Sequence, residues 1–162
     1  MRVLWAPWRM TYVGGARTSD CIFCTARDSA DTRATLVLAQ RPAIVMLNRY
    51  PYANGHLMVA PRHHAADFAG LPAAECRALM DSLARVTTLL AEAMHSEGMN
   101  VGLNLGAAAG AGVADHLHWH IVPRWSGDTN FMPLLADTRV ISQHLEILYD
   151  RLQPVFSVLD AA

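Results

Sequence analysis

An α+β domain built on a mainly antiparallel sheet is the fold class this sequence predicts. Three observations carry it: short strand-like runs bounded by turn residues, long segments with apolar residues at helical spacing, and the absence of any internal repeat or charged linker. The 162 residues fit one domain, and a composition of 52% hydrophobic and 17% charged residues is enough for a substantial core. The expected organisation is a single domain over residues 1–162, with an arm at 1–20, a core at 21–125 and a C-terminal segment bearing a helix at 126–162.

The arm carries Trp5, Pro7, Trp8, Arg9, Tyr12 and Gly14-Gly15 and reads as irregular chain with aromatic anchors. Leu36 to Gln40 and Ala43 to Asn48 read as two strands around Arg41-Pro42, and Gly55 to Pro61 as a third. The turn-rich stretch Asn48-Arg49-Tyr50-Pro51-Tyr52-Ala53-Asn54-Gly55 separates them. From Pro72 to His95 the residues Leu79, Leu83, Val86 and Leu90 form one helical stripe, with Pro72 suited to the first turn and Gly98 beyond the end. Cys76 within it reads as a core residue. Asn100 to Leu105 alternates as a fourth strand before the glycine-rich stretch Gly106 to Gly112, and Ile141, Leu145, Leu148 and Leu152 outline a C-terminal helix.

The most informative run is His116-Leu117-His118-Trp119-His120-Ile121-Val122-Pro123-Arg124. Successive side chains of a strand point to opposite faces, so the three histidines are expected to share one face while Leu117, Trp119 and Ile121 bury the other. Pro123, which lacks a ladder donor, is expected at the strand's end. Neutral imidazole is nucleophilic near pH 7, and a histidine that attacks phosphorus forms a labile phosphoramidate, splitting one hard displacement into two easier ones. His118 has a histidine on each side to fix its tautomer or donate to departing charge. Read alone, Gly106 to Gly112 is either a plain flexible loop or an anion cradle of backbone N–H groups; its position directly before the histidine run favours the cradle.

Net charge of −1 and a pI near 6.7 offer no broad cationic surface, so no nucleic-acid partner is expected. No apolar run reaches the ~18 residues of a membrane span, and the N-terminus lacks an uninterrupted signal-peptide apolar region, so no membrane association and a cytoplasmic location are expected. Cys21-Ile22-Phe23-Cys24 fits a metal or redox pair in a reducing compartment. A tetrahedral zinc site would need two further ligands, with His63, His64 and His116 as candidates.

The run from His116 to Val122 resembles the signature of the histidine triad superfamily, supported by Asn48, by Gly55-His56-Leu57-Met58-Val59 and by the Asn104 to Gly112 approach. Leu4-Trp5-Ala6-Pro7-Trp8-Arg9-Met10, Cys21-x-x-Cys24 and the stretch from Pro123 to Phe131 are similar to a bacterial branch that includes diadenosine tetraphosphate phosphorylases. The resemblance implies a five-stranded antiparallel sheet with two main helices, a homodimer, and an adenosine nucleotide or dinucleoside polyphosphate as partner. It implies that His118 takes the nucleoside 5′-monophosphoryl group as a covalent nucleotidyl-histidine and that His120 binds or polarises the α-phosphate. Asn48 would bond the ribose, His56 and Asn104 would line the site, and Trp125 would flank a nucleoside. It also implies structural zinc on Cys21, Cys24, His64 and His116, with no organic cofactor.

One departure is Gly112, where many family members carry glutamine or serine four residues before the first histidine. Either the backbone N–H groups of Gly112 and Val113 make the phosphate contact there, or the activity is weaker or differently directed. The expected activity is transfer of the nucleotidyl group to phosphate or water, at the nucleotide α-phosphate. The rivals are hydrolysis of nucleotide phosphoramidates or dinucleoside polyphosphates, a non-catalytic nucleotide-binding module, and a metalloenzyme with its metal on His116, His118 and His120 together.

Overall fold

A computed structural model describes residues 20–128 and 143–161. The aromatic arm, the stretch from Thr129 to Phe131 and Ile141 lie outside the described residues. Strands β1 (Val37–Ala39), β2 (Ile44–Leu47), β3 (Leu57–Ala60), β4 (Gly98–Leu103) and β5 (Trp119–Arg124) form one sheet of order β1-β2-β3-β5-β4. Every pairing is antiparallel. Among the described residues three α-helices accompany it: α1 (Ile22–Asp28), α2 (Ala73–Met94) and α3 (Leu145–Phe156). The α+β expectation and the two main helices, α2 and α3, are met, and the short α1 is an addition that the sequence reading did not contain.

The expected stripe of α2 is buried: Leu79, Leu83, Val86 and Leu90 all face the core, joined by Ser82 and Met94. Ser82 keeps its hydroxyl satisfied within the helix by donating to the Ala78 carbonyl at 2.7 Å. The helix does not wait for Gly98 to stop. His95 takes the left-handed conformation at φ 51°, its N–H returns to the Ala91 carbonyl, and Gly98 instead opens β4. α3 buries Leu148, Tyr149, Leu152 and Phe156 against β1 and α2. Outside the core, Arg33 of the loop before β1 pairs with Asp150 of α3.

The histidine strand is shorter than the alternation implies. β5 begins at Trp119, so His116 and His118 lie on the extended chain leading into it, and only His120 is in the ladder. β3 ends at Ala60, two residues short of a partner for His116, and the approach is tied down instead by the Leu117 N–H donating to the Ala65 carbonyl at 2.7 Å. Pro123 is inside β5, paired with Met99, rather than at its end. The Arg124 carbonyl accepts from Glu97 on the β4 side, so Pro123 turns its nitrogen to the other side, beyond the point where β3 begins at Leu57. Gly55, at φ +80°, passes beneath that ring, and a Cβ on it would lie 3.0 Å from the proline Cγ.

Strands β1 to β3 are buried at every residue because both faces of the sheet are covered there. α2 and α3 cover one face over a core that includes Val45, Leu47, Leu57, Val59 and Ile121. On the other face Phe23 and Ala26 of α1 pack on Val37, Ile44, Met46, Met58 and Ala60. α1 reaches only part of this second face. Truncation of fully buried Leu90 to alanine is expected to cost about 3 kcal/mol of stability, whereas Met80→Ala, on the exposed side of α2, is expected to stay within about 0.5 kcal/mol of the parent; urea unfolding midpoints check both.

Candidate functional site

The register of the sheet builds the site. Val37 pairs with Met46, Met46 with Met58, Met58 with His120 and His120 with Gly102, which makes one row of side chains on the face that α1 partly covers. Continuing the same registers past the strand ends sets His118 beside Ala60 on one flank and Asn104 on the other. The row therefore runs from apolar side chains under α1 to an imidazole and then to a glycine. A Cβ on Gly102 would meet nothing within 4 Å, so the floor next to His120 is bare. A glycine inside a strand is a recognised mark of close approach by another group, and Gly102 could have been singled out on that ground.

Hydrogen bonds fix the tautomers of the buried histidines. His118 is 3% exposed, and its Nδ1–H donates to the His116 carbonyl at 2.8 Å. Nε2 of neutral His118 is then an unprotonated lone pair. Burial pushes this imidazole below its ordinary range, with the bond to the His116 carbonyl opposing in part. His56 is 1% exposed and its Nδ1 accepts the Tyr52 backbone N–H at 3.0 Å. Its Nε2–H therefore donates to His120 Nδ1 at 2.9 Å, which leaves His120 in the form that carries its proton on Nε2. Burial, and then the neighbouring His118, lower His120 to about 4. Its ring stands 5.1 Å from that of His118, edge to face. The pair thus presents one nucleophilic nitrogen and one neutral N–H donor side by side.

The remaining triad member faces away from this chemistry. His116 is fully buried, its Nε2–H donates to the Pro61 carbonyl at 3.0 Å, and its Nδ1 lies 3.2 Å from Cys21 Sγ and 3.8 Å from Cys24 Sγ. His64 Nδ1 is 3.3 Å from Cys24 Sγ, and the four ligand atoms of Cys21, Cys24, His64 and His116 all lie within 4.8 Å of one another. Tetrahedral zinc with ordinary bond lengths sets sulfur and nitrogen ligands about 3.3–3.8 Å apart, so the cluster has the dimensions of such a site. The outer contacts fit as well: Pro61 orients His116, and the Asp115 carboxylate is 4.0 Å from His64 Nε2. Burial and then Cys21 push the Cys24 thiol up, a penalty that a bound cation reverses. The four residues can hold a metal ion. His63, the other candidate, is not among the four residues whose ligand atoms converge. The three triad rings do not converge on one metal, since their Nδ1 atoms go to the cysteines, to a carbonyl and to His56 respectively.

The HIT domain model matches residues 29–127. The chain belongs to the HIT family. It is 34% identical over 151 residues to AP-4-A phosphorylase of Mycobacterium tuberculosis, an alignment covering 88% of this chain and 77% of that one. A hypothetical histidine triad nucleotide-binding protein of Sulfolobus tokodaii superposes with a TM-score of 0.66 at 23% identity, covering 84% of this chain and 91% of that one. A zinc-bound histidine triad family protein of Mycobacterium smegmatis superposes at 0.61 and 25% identity, covering 88% and 96%. The HIT model takes in His64 and His116 but starts after both cysteines.

Other residues singled out in this HIT chain fall in three places. Asn48 closes the turn before β3, its Oδ1 accepting the Tyr50 N–H at 2.8 Å, while its Nδ2 lies 3.5 Å from His56 Nε2. It is both turn cap and neighbour of the histidine pair. The glycine-rich stretch is a 3₁₀ turn over Ala107–Ala109, held between Gly106 at φ 78° and Gly110 at φ 89°, with Asn104 Nδ2 beside Gly110. Gly112 is exposed, and Val113 packs against the Phe23 cluster. Trp125, in contrast, donates its indole N–H to the His95 carbonyl at 3.0 Å and packs on the helix-covered core, continuing the face of Trp119 and Ile121 rather than that of His120. Within one chain it is away from His118. Two residues of the site had no place in the sequence reading: Phe23, whose ring lies 5.0 Å from His116 and 4.9 Å from His118, and Tyr52, 4.6 Å from His56.

Two outcomes are expected. Atomic absorption should give about one zinc per chain for the parent and for His118→Asn, and a loss of most of it in Cys24→Ser, as four protein ligands make a closed site. The second concerns acid. The folded His120 resists a proton that the unfolded ring takes up near 6.5. Its contribution to stability is therefore whole above pH 6.5, falls as the pH drops toward 4 and levels off below, an acid loss on the order of 3 kcal/mol. Denaturant unfolding at pH 7 and pH 4.5 should show that His120→Asn loses correspondingly less on acidification than the parent.

Proposed function

We propose that this protein is a nucleotidyl-transferring HIT enzyme. His118 would attack the α-phosphorus of an adenosine dinucleoside polyphosphate and pass the nucleotidyl group to inorganic phosphate, the chain acting over residues 1–162 as a single-domain protomer of a homodimer. The observation that carries the reading is the His118 Nδ1–H bond to the His116 carbonyl, because it leaves the Nε2 lone pair free on a neutral, buried ring. Similarity to AP-4-A phosphorylase supports the substrate class.

The chemistry runs in two displacements. The Nε2 lone pair of His118 forms an N–P bond as the bond from the α-phosphorus to the bridging oxygen breaks, and the electron pair departs with the polyphosphate. A phosphate oxygen then attacks the same phosphorus, the N–P bond breaks and its electrons return to Nε2. Diadenosine tetraphosphate and phosphate thus give ATP and ADP, and water in place of phosphate gives AMP. His120 would serve as an N–H donor to the α-phosphate oxygens, where charge builds up in the transition state, with its orientation held by His56. The backbone N–H groups of the turn from Gly106 to Val113 would supply further donors, doing the work of the side chain that Gly112 lacks. Asn48 and Asn104 would bind the nucleoside and phosphate portions over the open floor at Gly102.

Zinc on Cys21, Cys24, His64 and His116 would supply structural cross-linking to α1 and would take no part in these displacements. Similarity to a zinc-bound HIT protein supports zinc over other metals. Chromatographic analysis of products from diadenosine tetraphosphate, with and without phosphate, checks the proposal. ATP and ADP are expected only with phosphate, and His118→Asn should lose at least about 10³-fold in kcat. AMP and ATP independent of phosphate would make the enzyme a hydrolase. Full turnover in His118→Asn would remove the covalent mechanism.

A further inference from the structure

We propose that Phe23 is a positioning residue that couples occupancy of the Cys21, Cys24, His64 and His116 cluster to the rotamer and tautomer of His118. The inference rests on the nucleotidyl-transfer reading above for its catalytic consequence, though not for its structural one.

Three links connect the cluster with the nucleophile. Phe23 lies in sequence between the two cysteines and is fully buried, so ligation of both thiols fixes the turn that carries its ring. That ring touches two imidazoles, His116 at 5.0 Å and His118 at 4.9 Å between centroids. His116 itself turns Nδ1 toward the cysteines and gives its carbonyl to His118 Nδ1–H. His118 is thus held by a hydrogen bond and by an aromatic face, and each support is in, or covalently beside, a ligand of the cluster.

The way α1 is anchored gives the cluster a direct hold on this arrangement. Its C-terminal end is tied to the sheet by Gln40 Nε2, which donates to the carbonyls of Ala26 and Ser29 at 2.9 Å each, and by Arg27, which donates to the Arg62 carbonyl at 3.1 Å. Among the described residues, its N-terminal end is held by the Cys21 and Cys24 sulfurs against His116 and His64 and by Phe23 in the apolar cluster. Cys21 occupies the N-cap position and makes no capping side-chain hydrogen bond, and seven residues are too few for the helix to hold its own first turn. Without ligation of Cys21 and Cys24 that turn is free to shift, Phe23 withdraws from His118, and the imidazole samples orientations in which Nε2 is no longer aimed at phosphorus. A shift of this kind lowers kcat more than it raises KM, because Asn48, Asn104 and the floor at Gly102 belong to other parts of the chain than α1.

The test is long-range ¹H–¹⁵N correlation of the histidine rings in the full chain. Samples are the parent with one equivalent of zinc, the parent stripped by chelator, and Phe23→Leu with one equivalent of zinc, with metal content measured in each. Phe23→Leu keeps an apolar side chain among Ala26, Ile44, Met46 and Met58 but removes the flat face against the two imidazoles. The zinc-loaded parent is expected to show His118 as a single Nδ1–H tautomer. Stripped parent and zinc-loaded Phe23→Leu are both expected to show an averaged pattern, with kcat on diadenosine tetraphosphate lower by about 10- to 100-fold and KM within about twofold. If stripping unfolds the chain, zinc-loaded Phe23→Leu decides alone. A variant that binds zinc, keeps the single tautomer and turns over like the parent overturns the proposal. So does a folded, stripped parent with an unchanged His118 signature. Turnover retained in His118→Asn would instead defeat the nucleotidyl-transfer reading, and the tautomer comparison, which needs no substrate, would still decide the coupling.

Discussion

The hydrogen bond from His118 Nδ1–H to the His116 carbonyl is the interaction on which the site depends. It joins two residues of one short extended stretch, so it survives only if the backbone between them is held in place. That backbone is pinned from three directions: by the ring of His116 on Pro61 and the cysteines, by the Leu117 N–H on Ala65, and by the β5 ladder that begins at Trp119. A surface loop could not hold a buried imidazole at 2.8 Å from a chosen acceptor, since nothing would offset the entropy of fixing it.

A second constraint is the unequal covering of the sheet. Helices α2 and α3 close one face over β1, β2, β3 and Ile121 of β5, and the core there supplies the stability. Among the described residues, α1 packs on the other face over β1, β2 and β3, which leaves His120 and Gly102 at the edge of its cover. The histidine pair therefore stands at a boundary between dry protein and open floor. Burial there keeps the imidazoles neutral, which preserves a lone pair on His118 and an N–H donor on His120. A fully buried pair would exclude substrate, and a fully exposed one would titrate within the physiological range.

Alternation made the histidine run legible because it is local: residues two apart on extended chain share a side whether or not a ladder forms. For the same reason it could not reveal where the ladder starts. That depends on where β3 ends, and β3 is about sixty residues away in sequence. The buried stripe of α2 was readable to the residue, since Leu79, Leu83, Val86 and Leu90 follow the helix's own period. Its stop was not, because His95 adopts a left-handed conformation usually left to glycine, and Gly98 serves a strand. The helical setting of Cys21 and Cys24 was also hidden. α1 is a single short segment with no cap signature and is held by Gln40 and Arg62, residues on other elements.

By itself the sequence determined the fold class, the histidine pattern and the residue types of a cysteine and histidine cluster that can hold a metal ion. These are properties of local periodicity and donor chemistry, which are written along the chain. Tertiary structure alone decided how the three histidines divide their work. Each imidazole has two nitrogens, and which one is a donor, a ligand or a free lone pair is set by whatever lies across from it: Pro61 and the cysteines for His116, a carbonyl for His118, His56 for His120. Those partners come from other turns, strands and helices. Only the packing of the sheet against α1 brings them within hydrogen-bond range.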